Sequence, residues 1–273
     1  MKCLAAAVAF AAMSGSAWAQ EAPWGAAEVD AYIVENMPKS ATEVADPFAV
    51  PNEVPAPAKQ VLLRSSVHMS GTQPDETTDF RYTAVWKYDP SRQIMELKTH
   101  RPRAGTLLSL DTQGVTIPGL ASYQRPNMAG IDTFRDQKTE DAGEGQNSYG
   151  ARVSMQRITV VSRGIGEMRS SIADDAGPPL PRGQYSYDHT FSIAPEDARA
   201  LTQNLELQIV AEPVAWAPNK WIICGTDYSG ATIRNPVIQI TRGCYLTARL
   251  DTFRFVDTRD GTVIKEWSRS VRR

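Results

Sequence analysis

The sequence predicts an all-β or β-dominated domain, an antiparallel sandwich or partly closed barrel with one or two short helices. Three observations carry this. Apolar and polar residues alternate in run after run, turn-forming Pro, Gly and Asp separate the runs, and helical periodicity is scarce.

The clearest run places Phe80, Tyr82, Ala84, Trp86 and Tyr88 on one face and Arg81, Thr83, Val85, Lys87 and Asp89 on the other. Side chains of a strand point to opposite faces in turn, so strict alternation reads as a half-buried strand. Asp89-Pro90-Ser91 supplies a turn, and Gln93 to Thr99 returns as its hairpin partner. Tyr185, Tyr187, His189, Phe191 and Ile193 repeat the pattern, alternating with Ser186, Asp188, Thr190 and Ser192. Leu205, Leu207 and Ile209 do so again, and Ala151 to Val161 is a strand rich in Val, Ile and Thr. Near the end, Cys244 to Val256 and Thr262 to Trp267 flank a loop at 257–261 that closes on Gly261, a hairpin with a bulged turn. Between strands, Pro195 with Glu196 and Asp197 opens a helix of about two turns, acids lying at the positive end of its dipole. Residues 111–150 and the proline-rich 174–183 carry no readable period, and Gly164-Ile165-Gly166 reads as a turn or bulge.

Ahead of this domain, assigned to 59–273, lie two other segments. Residues 1–19 have the order of a secretory signal: Lys2, an apolar run from Leu4 to Met13, then Ala17-Trp18-Ala19 as a small-x-small cleavage site. The run is far shorter than the ~20 residues a membrane helix needs. Cys3 precedes it, badly placed for lipid attachment. Residues 20–58 read as an N-terminal arm or linker with a short helix from Ala26 to Met37. Pro38 stops that helix, and Pro47, Pro51, Pro55 and Pro57 follow it. The expected address is the periplasm or the exterior. An oxidising compartment and the pair left after cleavage, Cys224 and Cys244, predict one disulfide.

Charge and motifs then narrow the chemistry. A formal net charge of −2 lacks the basic excess of a nucleic-acid binder. The three histidines, His68, His100 and His189, show no metal-ligand spacing, and His189 sits on an apolar stripe with Asp188 directed to the opposite face. There is no Gly-x-Ser-x-Gly elbow, and the third glycine of a dinucleotide fingerprint is missing after Gly166, so no cofactor is expected. Asp136, Glu140, Asp141 and Glu144, with Asp174 and Asp175, read as solvated acidic loops. Lys265, Arg269, Arg272 and Arg273 give the C-terminal tail a basic bias suited to peripheral contact with an anionic surface.

The richest candidate site is aromatic. Phe80, Tyr82, Trp86 and Tyr88, joined by Tyr185, Tyr187 and His189, form either a packed sheet face or the wall of a site for a glycan, lipid or peptide. The expected function is an exported, non-catalytic domain that binds a protein or another envelope component. A small-ligand or lipid carrier with an aromatic-lined cavity is the alternative, and a hydrolase with a dispersed active site the second alternative.

Overall fold

The computed structural model describes residues 22–37, 54–71, 84–100, 127–146, 149–150, 152–169, 177–180, 184, 186–216 and 218–269. The signal segment, Phe80, Tyr82, Tyr185, Asp174, Asp175, Arg272 and Arg273 lie outside these residues. Among the described residues two helices and ten strands run in the order α1 (Ala26–Asn36), β1 (Val61–Met69), β2 (Ala84–Asp89), β3 (Ile94–His100), β4 (Asn127–Gln146), β5 (Arg152–Arg169), β6 (Ser186–Ser192), α2 (Pro195–Thr202), β7 (Leu205–Pro213), β8 (Ile222–Ser229), β9 (Val237–Asp257) and β10 (Thr262–Ser268).

The chain is β-dominated, as the alternation predicts, and its strands form one large mixed sheet that is not closed into a barrel. The sheet runs β4-β5-β9-β7-β1-β2-β3-β6, with β8 and β10 also paired to β9. Most neighbours are antiparallel, but β1–β2 and β5–β9 are parallel, which departs from a purely antiparallel design. Both parallel pairs are separated by long stretches of chain, which is what a parallel crossover requires. Two strands serve as corners. Val61–Ser66 of β1 pair with β7, and Val67–Met69 then turn to β2. The long β9 lies between β5 and β8 in its first half and between β7 and β10 in its second.

The sheet therefore folds over itself. Tyr187 of β6 stacks on Phe253 of β9 with ring centroids 4.9 Å apart, although no ladder joins those strands. The space between the layers is filled by Leu63, Met95, Leu97, Leu207, Phe253 and Phe255, all fully buried. Burying one such side chain contributes roughly 1.5–3 kcal/mol. Helix α1 joins the same core through Val29, Tyr32 and Ile33, and Tyr32 donates to the carbonyl of Pro55 at 2.7 Å. Just before the helix, Trp24 exchanges backbone hydrogen bonds with Gln60 and Leu62 beside β1. The described parts of the arm thus pack on the sheet.

Turn chemistry follows the sequence. Asp89 Oδ1 accepts from the amides of Ser91 and Arg92, closing the β2–β3 turn. The last hairpin closes through Gly261 at φ +76°, with Asp260 accepting the Thr262 amide at 2.9 Å.

Two expectations are corrected. Within the unpatterned residues 111–150, Asn127–Gln146 form strand β4, so Asp136, Glu140, Asp141 and Glu144 sit on a ladder rather than in a loop. Lys138 meets Glu140 at 2.5 Å and Arg152 approaches Glu144 at 3.8 Å. Gly164 and Gly166 lie inside β5, and the bulge falls opposite them at Thr133. The reason is close approach. A Cβ on Gly164 would stand 2.0 Å from the Ile131 carbonyl oxygen, and one on Gly166 would stand 2.2 Å from Met128 Sδ.

Candidate functional site

Register across β2, β3 and β6 gathers the aromatic residues on one face. Ala84, Thr99 and Tyr187 form one row, Trp86, Leu97 and His189 the next, and Tyr88, Met95 and Phe191 the third. Each pair of aromatic positions is thus separated by a β3 residue. Ala84, Met95, Leu97, Thr99 and Tyr187 are fully buried, whereas Trp86, Tyr88, His189 and Phe191 are half-buried. The face is packed at its centre and open to solvent only along its margins.

The hydroxyls of the two tyrosines are engaged by the chain itself. Tyr187 donates to the Pro178 carbonyl at 2.8 Å, and Tyr88 donates to the Ile193 carbonyl at 3.2 Å. Trp267 of β10 lies 5.4 Å from the Tyr187 ring. His189 stacks on Phe191 at 5.2 Å, and its pKa is lowered by partial burial and, less, by the Lys265 charge. Asp188 lies on the other face and accepts from Ser186 at 2.9 Å, so it forms no dyad with His189.

Two polar centres have no counterpart in the sequence reading. Tyr245, fully buried, donates to Asp132 at 2.7 Å, and burial together with that carboxylate raises its pKa. The second is Glu167, a buried carboxylate at the end of β5. It accepts from the amides of Gly177 at 2.9 Å and Leu250 at 3.4 Å and forms an ion pair with Arg269. Arg269 therefore points into the protein instead of serving a free basic tail. Lys265 lies 5.8 Å over the Trp267 ring. No spacing links residues 167, 177 and 269, so only the folded chain reveals the centre.

Cys224 and Cys244 form the expected disulfide, with Sγ atoms 2.08 Å apart. They are directly opposed on β8 and β9, with Cα atoms 4.1 Å apart, so the bond ties an edge strand to its neighbour. Among the described residues no group of three His, Cys, Asp or Glu is arranged to hold a metal ion. No described helix is long and apolar enough to cross a membrane.

No family model, curated protein or solved structure matches the chain.

The exposed architecture is most developed away from the aromatic face. Strands β4 and β5 pair from Asn127↔Arg169 out to Gln146↔Arg152. From Asp136 outward on β4, and over 152–159 on β5, every residue is exposed or half-buried. With β9 and β8 they make a four-stranded blade running out from the core. On one of its faces Val153, Met155, Ile238 and Ile240 are half-buried, and Tyr228 is 64 % exposed. Met155 lies across Gly145, where a Cβ would be 2.7 Å from its sulfur. Among the described residues β4 pairs only with β5, so its outer edge carries no strand.

Proposed function

We propose that this is an exported, periplasmic or secreted, non-catalytic domain that binds a protein partner of the cell envelope. The signal-like residues 1–19 and the disulfide support the address. The observation that carries the binding role is the blade, which extends beyond the core and presents half-buried apolar residues beside an edge that pairs with no other described strand. A strand that served packing alone would end where its core ends, and an apolar surface with a free sheet edge is what a docking partner uses. Among the described aromatic candidates Tyr187 is fully buried against Phe253, and Trp86, Tyr88 and His189 are half-buried beside it, which favours partner binding over the carrier reading.

The test is a pair of charges on the blade, Met155→Asp with Ile240→Asp. The variant should keep its circular dichroism and melt within a few degrees of wild type, because neither side chain belongs to the main core. Wild type from an envelope extract should elute in a complex larger than the 30.0 kDa chain, and the variant should elute as free chain. Identical elution of the two proteins would refute the role assigned to the blade.

A further inference from the structure

Residues 177–180 lie across the place where the sheet's two layers meet without a ladder. Gly177 and Pro178 are buried, Pro179 is exposed, and Leu180 packs half-buried against the core. Three side chains, from β5, from β6 and from the residue after β10, hold two consecutive residues by their backbone. Glu167 accepts the Gly177 amide at 2.9 Å, and Arg269 donates to the Gly177 carbonyl at 2.9 Å while paired with Glu167. Tyr187 donates to the Pro178 carbonyl at 2.8 Å. Pro178 has no N–H to satisfy, so every backbone group of the pair is accounted for. Gly177 is at φ +83°, and a Cβ there would fall 2.7 Å from the Tyr187 hydroxyl and 2.9 Å from Phe253 Cε2. Only glycine can lie this close to those two rings.

We propose that residues 177–180 are a strap closed over the aromatic seam formed by Tyr187, Phe253 and Trp267, with the Glu167–Arg269 pair as its latch. The layers beneath are held by apolar burial, which water cannot replace. The strap is held at Gly177 and Pro178 by hydrogen bonds to its backbone, which water can replace, and its one apolar side chain packed on the core is the half-buried Leu180. The two therefore open separately. Opening releases the Tyr187 hydroxyl from the Pro178 carbonyl and exposes the side of the Tyr187–Phe253 stack that Gly177 covers, a surface suited to an apolar or aromatic molecule. This device is independent of the role assigned to the blade.

Native-state hydrogen exchange on the mature chain tests it. In wild type the Gly177 amide should exchange by local opening, insensitive to low denaturant, while the Leu207 and Ile209 amides of β7 exchange by the denaturant-dependent global route. Arg269→Gln should speed exchange at Gly177 by about tenfold or more, leave β7 protection unchanged, and raise binding of the apolar dye anilinonaphthalene sulfonate. Glu167→Gln, which keeps an acceptor for the Gly177 amide, should fall between the two. If Gly177 and β7 share one protection and one denaturant dependence in wild type, residues 177–180 are ordinary core and the strap is refuted, whether or not the variants fold. An Arg269→Gln protein that folds with unchanged exchange at Gly177 would refute the latch.

Discussion

The four aromatic candidates within the described residues differ by their place on one face. Tyr187 is fully buried between Phe253 and Trp267, so Tyr187→Ala should destabilise the domain by about 3–5 kcal/mol, the cost of deleting a large buried aromatic. Trp86 is half-buried at the margin, and Trp86→Ala should cost about half as much. Urea denaturation of both variants gives the order, and equal losses would contradict the burial gradient. His189 adds a pH dependence. Partial burial and Lys265 depress its folded pKa below the unfolded value, so the unfolded chain binds its proton first as pH falls. Its contribution is full above the unfolded pKa of about 6.5 and is lost as pH drops through and below it. Unfolding free energies at pH 7.5 and 5.5 should therefore differ less in His189→Phe than in wild type. Of these residues the sequence revealed type and face, because alternation assigns faces. It could not reveal that Leu97 and Met95 would sit between the aromatics, nor that Phe253 would cover Tyr187, since both depend on register and layering.

At the level of elements, legibility tracked the strength of the period. The β2–β3 and β9–β10 hairpins were readable because alternation and turn residues agree, and α2 because Pro195 and the acids Glu196 and Asp197 mark its first turn. Strand β4 was not. Beyond its first residues it has no buried face, two register shifts break its period, and glycines replace the β-branched residues that mark a strand. The disulfide belongs to this scale as well. Intact mass should show a loss of about two daltons, the two hydrogens given up by the cysteines. Cys224→Ser with Cys244→Ser should cost on the order of 3 kcal/mol for a loop of this length. Because β8 pairs only with β9 among the described residues, the faster exchange should appear first in Ile222–Ser229. Uniform loss of protection across the sheet would contradict that local role.

Over the whole molecule, one core is shared by α1 and both layers of the folded sheet, while the blade of β4, β5, β9 and β8 extends from it. The fold class was legible because it depends on periods of two and turn residues. The blade and the Glu167–Arg269 centre were not, because parallel pairing of β5 with β9 and contact between residues 102 positions apart leave no local signature. On the proposed reading the aromatic face serves stability and the blade serves recognition. Site-specific photo-crosslinking in living cells tests that assignment most directly, with the crosslinker at Met155 or Ile238 on the blade and at Thr262 on β10 as a control. Discrete adducts with one envelope protein from the two blade positions, and none from Thr262, are the predicted result. Adducts from Thr262 alone, or none from either blade position in cells where the protein is exported and folded, would contradict it.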